Sequence, residues 1–256
     1  MTGQAKGGQG MVDYLDTPQG RRIAHVRTPG RGPGVVFLGG FMSDMAGTKA
    51  VHLQDWAERA GRAFLRFDYS GHGQSSGAFA DGCIGDWFED ALAVIDARTE
   101  GPQILVGSSM GGWISLLLAR AVPARVKALV GIAPAPDFTE DSMWAGFSDA
   151  QRAALRDEGR IVIPSDYAPE GYPITRRLID EGRSRLVLRA PLRLPFPVRV
   201  LQGTGDTDVP PAVALRLMDH AECDDLRVTL VKGADHRFST PACLAMITTA
   251  IEEVGG

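Results

Sequence analysis

Apolar residues along the chain form short runs that alternate between the spacing of strands and the spacing of helices. The runs "GVVFLGG" (34–40) and "AFLRFD" (63–68) are rich in β-branched and aromatic residues, which predicts two buried strands. Residues 48–60 and 85–97 repeat apolar positions at helical spacing, which predicts an amphipathic helix after each strand. The first third of the chain is therefore predicted to form a strand, a helix, a second strand and a second helix.

The same alternation continues to the last residues. It predicts a strand at 103–108, a helix at 110–120, strands at 126–133 and 198–203, a helix at 211–219, a strand at 227–233 and a helix at 240–254. This order is typical of the α/β class, a mostly parallel sheet with helices on both faces. Two earlier runs, Val12–Leu15 and Arg22–Val26, flank the turn sequence "DTPQG" and predict an antiparallel hairpin at one edge.

One segment, about residues 135–197, interrupts the alternation. It contains charged helical stretches at 148–159 and 174–182 and a strand-like run, "RIVIPSDY", at 160–167, and proline-rich sequence stands at both of its ends. A long insertion between two core strands is typical of a lid over a site. We therefore expect a single domain, residues 1–256, in which this segment forms a cap.

Charge and cysteine content exclude several classes of protein. The 256 residues carry a net charge of −4, so no overall basic surface is expected and no nucleic-acid partner. Cys83, Cys223 and Cys243 are widely spaced and odd in number, which favours reduced thiols over a disulfide framework or a metal site. The opening "MTGQAKGGQG" lacks the pattern of a targeting segment, and no apolar run is long enough for a membrane span. These observations predict a cytoplasmic protein.

A candidate nucleophile stands where the strand at 103–108 meets the next helix. The sequence "GSSMG" fits the pattern Gly-x-Ser-x-Gly, with Ser109 as its central serine. In this pattern the serine occupies a sharp turn between a strand and a helix. A serine hydroxyl is a weak nucleophile and needs a base to take its proton. The rest of the chain must supply that base.

The base predicted for Ser109 is His236. In hydrolases with this strand–turn–helix arrangement, the partners follow the serine in the order acid, then histidine. Of the five histidines, three precede Ser109 and His220 ends a predicted helix. His236 alone follows the last predicted strand. Because only neutral imidazole accepts the serine proton, we expect hydrolysis to increase as His236 loses its proton.

The acid that orients the histidine is expected in the loop "GTGDTDVP", after the strand at 198–203. Asp206 and Asp208 are both candidates. Asp206 is preferred because it lies nearer the end of the strand, whereas Asp208 stands close to the predicted helix at 211–219 and could cap it. The acid would fix the tautomer of His236 and stabilise its protonated ring.

Backbone N–H groups are expected to bind the oxyanion that forms during acyl transfer. Met110 follows the nucleophile at the start of a helix, where the helix dipole favours negative charge. Phe41 lies in the glycine-rich loop "GGFMSDM" after the strand at 34–38, and is the expected second donor. Each of these residues has an ordinary structural role when taken alone. Together, and in this order, they predict a serine hydrolase that needs no cofactor and no metal.

Four longer stretches resemble the α/β-hydrolase family, and within it the branch of mitochondrial palmitoyl-protein thioesterases and acyl-glucuronide esterases. They are "GGFMSDMAGTKA", "LRFDYSGHGQSSG", "GPQILVGSSMGGW" and "IPSDY", and the likeness runs from Phe37 through the last helix. The resemblance implies a triad of Ser109, Asp206 and His236. It also implies hydrolysis of thioesters or activated esters.

Three hypotheses for function remain at this point. The leading one is hydrolysis of acyl thioesters or esters through an acyl-enzyme on Ser109, with a small molecule or an acylated protein as substrate. The second is a general carboxylesterase that acts on small activated esters. The third is a non-catalytic binding module, since a fold does not by itself determine function.

Overall fold

The computed structural model describes residues 10–165 and 169–255, and is built around an eight-stranded sheet. The strands are β1 (Asp13–Asp16), β2 (Arg22–Thr28), β3 (Arg31–Leu38), β4 (Arg62–Phe67), β5 (Gln103–Ser108), β6 (Val126–Ile132), β7 (Arg160–Ile163), β8 (Tyr172–Thr175), β9 (Leu192–Arg193), β10 (Val198–Gly203), β11 (Ala221–Glu222) and β12 (Leu226–Val231). The helices are α1 (Thr48–Ala60), α2 (Ile84–Arg98), α3 (Met110–Ala121), α4 (Asp149–Asp157), α5 (Arg176–Arg183), α6 (Pro211–His220) and α7 (Pro241–Val254).

The main sheet has the order β1-β2-β4-β3-β5-β6-β10-β12. β1 and β2 pair antiparallel, as do β2 and β4, and all the other pairs are parallel. The predicted α/β class with a mostly parallel sheet is thus confirmed, and the hairpin lies at one edge. Parallel neighbours bring the carboxyl ends of β3, β5, β6, β10 and β12 to the same edge of the sheet, which is where ligands bind in such folds.

Helices cover both faces of the sheet because its central strands are apolar on both sides. In β5, Leu105 packs with Trp87 of α2 and Trp113 of α3 in the core of one face. Its neighbours Ile104 and Val106 pack into the core of the opposite face, with α1 and α7. Full burial of one such aliphatic side chain contributes about 1.5–3 kcal/mol, so the centre of the sheet is a rigid base for the loops that follow it.

The segment between β6 and β10 contains a π-helical turn (Thr139–Trp144), α4, the antiparallel hairpin of β7 and β8, α5 and β9. The sequence analysis missed β8 and assigned Ile174 and Thr175 to a helix. That assignment is wrong, because both residues pair with β7 and α5 begins at Arg176, with the Thr175 hydroxyl accepting the Leu178 N–H at 3.1 Å. The single-domain organisation with a cap at 135–197 stays a prediction.

Two other sequence interpretations fall partly outside the described residues. The predicted strand "RIVIPSDY" and the stretch "IPSDY" include Asp166 and Tyr167, and the opening segment includes residues 1–9. β7 accounts for the first four residues of that predicted strand.

Candidate active site

Ser109 occupies a sharp turn between β5 and α3. Its φ of 52° and ψ of −117° lie in a backbone region that residues other than glycine rarely adopt. The flanking glycines permit this turn. A Cβ atom on Gly107 would lie 2.4 Å from the carbonyl oxygen of Gly111, and one on Gly111 would lie 2.1 Å from that of Leu38. The motif therefore needs glycine at both positions, and the turn presents the Ser109 hydroxyl at the carboxyl edge of the sheet.

His236 lies in the loop between β12 and α7, at the same edge. Its Nε2 is 3.1 Å from Ser109 Oγ, and its Nδ1 is 2.8 Å from Asp206 Oδ2. With the ring proton on Nδ1, the imidazole donates to the carboxylate and Nε2 is left to accept the serine proton. The structure thus brings three of the predicted residues, each from a loop after a different strand, into one hydrogen-bonded chain.

The Asp206 carboxylate is buried and fully engaged. Oδ1 accepts the N–H groups of Asp208 (2.9 Å) and Val209 (2.8 Å), and Oδ2 accepts from Gln202 Nε2 (3.0 Å) as well as from His236. Burial alone would raise the pKa of Asp206, but the hydrogen bonds from His236 and Val209 outweigh it and hold the pKa below its ordinary value. Asp206 is therefore ionised near neutral pH and accepts hydrogen bonds through both of its oxygens.

Asp208 does not have the helix-capping role suggested by its position in the sequence. α6 begins at Pro211 with Pro210 as its N-cap residue and no side-chain capping bond, so that interpretation is wrong. Asp208 is exposed, and its carboxylate lies with the side chains of Asp206 and His236 in a group whose ligand-type atoms are all within 4.8 Å of one another. Asp206 and His236 in this group are hydrogen-bonded to each other. The expectation that the protein needs no metal stays a prediction.

The two expected oxyanion donors lie next to the serine. Among the described residues, the backbone N–H groups of Phe41 and Met110 donate to no carbonyl oxygen in a turn, loop or helix cap. Gly40 packs so close that a Cβ there would be 3.5 Å from Ser109 Cβ. Met110 is the first residue of α3, so the dipole of that helix points its positive end at the site.

Side chains from β4 and from the turn after it hold the loop that carries Phe41 through hydrogen bonds. The Met45 N–H donates to Asp68 Oδ1 at 2.6 Å, and Arg66 donates to the Met45 carbonyl. The Met42 N–H donates to His72 Nε2 at 3.3 Å. The sequence "DYSGHGQSSG", which contains two of these side chains, is thus a support for the expected oxyanion loop.

His72 is buried among aromatic rings and stays neutral. Its ring contacts those of Tyr69, Phe79 and Trp87 at centroid distances of 5.7, 5.1 and 5.2 Å. Its Nδ1 is 3.1 Å from the Ser70 carbonyl oxygen, so this nitrogen carries the proton and Nε2 accepts from Met42. Burial lowers the pKa of His72 from 6.5 to about 4, and the loop keeps this bond under mildly acidic conditions.

This histidine makes the stability of the protein depend on pH. The unfolded chain takes up a proton at His72 below its ordinary pKa of 6.5, whereas the folded chain does so only below about 4. The stabilising effect is therefore complete above pH 6.5 and is lost as pH falls toward 4. We expect the stability advantage of the wild type over His72→Gln to shrink by about 2 kcal/mol between about pH 7 and about pH 5. Urea unfolding of both proteins at the two pH values measures this, and an advantage that does not change with pH would contradict it.

A cavity of about 590 Å³ opens over Ser109 and His236. Its lining includes the apolar residues Phe41, Phe138, Met143, Ile163 and Tyr172 and the polar residues Ser43, Thr48, Lys49, Asp208 and Arg237. Lys49 Nζ donates to the Arg237 carbonyl oxygen at 2.5 Å, and burial lowers the pKa of Lys49 to about 8. Of these lining residues, the sequence indicated a role in the reaction only for Phe41 and Asp208, and Met143 was interpreted as a core residue. The others come together only through long-range packing.

The side chain of Phe41 packs against both the core and the insertion between β6 and β10. Its ring makes edge contacts with Phe79 and Trp87 of the core, at centroid distances of 4.8 and 6.0 Å, and with Phe138 and Tyr172 of the insertion, both at 5.6 Å. The residue that is expected to bind the oxyanion through its N–H is thus held by four aromatic rings.

Comparison with known proteins places this site in a family. The family model described as serine aminopeptidase, S33 (Hydrolase_4) matches residues 34–167. The palmitoyl-protein thioesterase ABHD10 of Rattus norvegicus, named as mitochondrial, is 37% identical over 244 residues, which cover 95% of this chain and 82% of that protein. The human protein of the same name is 34% identical over 95% of this chain and 79% of its own length.

Solved structures agree with these matches. The α/β-hydrolase domain-containing protein 10 from mouse superposes with a TM-score of 0.89 at 36% identity, covering 96% of this chain and 98% of that one. A crystal structure from Agrobacterium vitis S4 superposes with a TM-score of 0.92 at 41% identity, covering 96% and 99%.

The names of the relatives contradict the predicted cytoplasmic location. The rat, mouse and bovine proteins are all named as mitochondrial, so the predicted cytoplasmic location is wrong. The reason is that unpaired cysteines exclude only oxidising compartments and do not separate one reducing compartment from another. In the described part of the chain, no helix is both long and apolar enough to cross a membrane.

Proposed function

This chain belongs to the α/β-hydrolase family, and from that membership we propose that it cleaves acyl thioesters through an acyl-enzyme on Ser109. The chain is an enzyme that hydrolyses thioesters or esters, as its palmitoyl-protein thioesterase relatives do. The observation that carries the proposal is the continuous hydrogen-bonded chain from Ser109 Oγ through His236 to Asp206, at 3.1 and 2.8 Å.

In the acylation step, His236 Nε2 takes the proton of the Ser109 hydroxyl while Oγ attacks the carbonyl carbon of the substrate. The bond from Oγ to carbon forms, and the carbonyl oxygen becomes an oxyanion that accepts from the N–H groups of Phe41 and Met110. When this intermediate collapses, the bond from carbon to the leaving sulfur or oxygen breaks. The protonated His236, stabilised by ionised Asp206, gives its proton to the leaving group.

In the deacylation step, water takes the place of the leaving group. His236 Nε2 accepts a proton from that water as its oxygen attacks the acyl carbon on Ser109. The second oxyanion is held by the same N–H groups, the bond from carbon to Oγ breaks, and His236 returns the proton to Ser109. The products are a free acid and a thiol or alcohol, and one water molecule is consumed in each turnover.

The shape of the cavity supports a long acyl chain over a small activated ester. Its volume of about 590 Å³ falls in the range of roughly 300–1,000 Å³ that holds a drug-sized ligand. The apolar lining residues Phe138, Met143, Ile163 and Tyr172 can bury an alkyl chain, and the polar lining residues can contact a leaving group. The general carboxylesterase remains the second candidate, because the same triad also cleaves oxygen esters.

A matched pair of substrates separates the two candidates. We expect kcat/KM for S-palmitoyl-N-acetylcysteamine to exceed that for the corresponding oxygen ester by at least about tenfold, a difference of about 1.4 kcal/mol in transition-state stabilisation. The measurement is initial-rate hydrolysis of each substrate below its critical micelle concentration. Acetyl derivatives of both leaving groups are the controls. A preference for the acetyl oxygen ester over both palmitoyl substrates would instead favour the carboxylesterase.

A further inference from the structure

Gln202 is a fully buried polar residue in direct contact with the expected catalytic acid. It stands near the carboxyl end of β10 and is 0% exposed. Its Nε2 donates to Asp206 Oδ2 at 3.0 Å and to the Val209 carbonyl oxygen at 2.9 Å, with a longer contact of 3.3 Å to that of Gly203. The mechanism described above makes no use of this side chain.

The surroundings of Gln202 fix the orientation of its amide. Three oxygens, two carbonyls and one carboxylate, face the same end of the side chain. All three are acceptors, so only the NH₂ group fits there, and the reversed amide would place Oε1 against them. The amide therefore donates to Asp206 in the one arrangement that the site permits.

The other end of the same amide is costly to folding. Among the described residues, Gln202 Oε1 has no hydrogen-bond partner. A buried acceptor without a partner destabilises the folded state relative to an apolar side chain of the same shape. The amide therefore gains its hydrogen bonds at one end only, and these are directed at Asp206 Oδ2 and the Val209 carbonyl oxygen.

Gln202 closes a ring of hydrogen bonds around Asp206. The Val209 N–H donates to Oδ1, the Val209 carbonyl accepts from Gln202, and Gln202 donates to Oδ2. This ring leaves the carboxylate no freedom to turn away when His236 becomes protonated. Oδ2, the oxygen that Gln202 holds, is also the one that faces His236 Nδ1.

We propose that Gln202 is a positioning residue that aims the Asp206 carboxylate at His236. The proposal rests on the proposed function, because it assigns Gln202 a part in the same reaction. Gln202 contacts neither substrate nor the reacting atoms and acts only through Asp206.

The test compares Gln202→Met with the same substitution at Gln103, a buried glutamine whose Nε2 donates only to backbone carbonyls of Glu100 and Gly101. For Gln202→Met we expect kcat to fall between about 10- and 100-fold, the range for one hydrogen bond to a charged group, with KM within about twofold. Its Tm is expected to fall, as for Gln103→Met, because Asp206 Oδ2 and the Val209 carbonyl oxygen each lose a buried donor. For Gln103→Met we expect a lower Tm and wild-type kcat.

A second variant makes the role visible in the pH profile. In Gln202→Glu, the introduced carboxyl can donate to Asp206 only while it is protonated, and two neighbouring carboxyls resist ionising together. Because His236 must still lose its proton in this variant, we expect its activity to rise and then fall with increasing pH, whereas the activity of the wild type only rises. A side chain with a merely structural role would leave the direction of the profile unchanged.

A spectroscopic measurement separates this proposal from the proposed function. The proton between His236 Nδ1 and Asp206 gives a low-field ¹H NMR signal, assigned by its loss in His236→Gln, and we expect it to shift or disappear in Gln202→Met. An unchanged signal together with kcat within twofold of the wild type would overturn the role of Gln202. If the wild type hydrolyses neither thioesters nor esters, the proposed function fails, and the NMR comparison still decides whether Gln202 holds Asp206.

Discussion

Replacing Ser109 with alanine is expected to lower kcat for ester and thioester hydrolysis by about 10⁶-fold, close to the loss measured when a serine nucleophile is removed from a triad. The substitution removes the one oxygen that His236 Nε2 faces at 3.1 Å. Without it no acyl-enzyme forms, and the remaining rate comes from the oxyanion donors and substrate binding alone. Initial rates with a p-nitrophenyl ester, at high enzyme concentration, measure the residual activity.

The neighbouring serine provides a matched control. Ser108 is the last residue of β5 and is buried, so Ser108→Ala is expected to retain activity within about tenfold and to react with a fluorophosphonate probe. The probe should label the wild type and Ser108→Ala but not Ser109→Ala. Equal labelling of Ser109→Ala and the wild type would mean that the nucleophile lies elsewhere.

Replacing Asp206 with asparagine is expected to lower kcat by about 10³- to 10⁴-fold, because an amide at this position favours the wrong tautomer of His236. The carboxylate is ionised and receives four hydrogen bonds, one of them from His236 Nδ1 at 2.8 Å. An asparagine keeps the size of the side chain but presents an NH₂ group to at least one of these donors. Steady-state kinetics of the purified variant, with Tm as a check on folding, give the comparison.

Asp208 is the control for this assignment. Its carboxylate is exposed and close to the pair of Asp206 and His236, so it affects the site through its charge. Water screens an exposed charge of this kind, and Asp208→Asn is expected to change kcat by less than about tenfold. If Asp208→Asn lost activity while Asp206→Asn stayed near the wild type, the acid would be Asp208.

Some parts of the fold and site follow from local sequence, and others do not. The strand and helix order was predictable because each element carries its own periodicity, as at 48–60, where α1 has the same bounds. Ser109 and His236 could be located because parallel strands bring the loops after them to one edge. The choice between Asp206 and Asp208 rested on distance from the strand end, and the capping role given to Asp208 was wrong because Pro210 and Pro211 begin the helix without it.

The insertion was the least predictable region. β8 is short and contains Pro173, so its pattern is weak, and only pairing with β7 makes it a strand. The cavity lining combines Lys49 of α1 with Phe138 and Tyr172 of the insertion, residues that no local pattern relates. The role proposed for Gln202 could not be predicted for a different reason. A single glutamine in an apolar strand does not indicate which groups its amide contacts.

The contacts of Phe41 have a consequence for exchanging caps between members of the family. Two of its four ring partners, Phe138 and Tyr172, belong to the insertion, while its own backbone belongs to the loop after β3. A chimera that takes its insertion from another hydrolase inherits a new substrate pocket and, at the same junction, a new set of neighbours for Phe41. We therefore expect such a chimera to differ in both substrate specificity and catalytic rate. A graft that retains aromatic rings at positions 138 and 172 is expected to change the specificity alone.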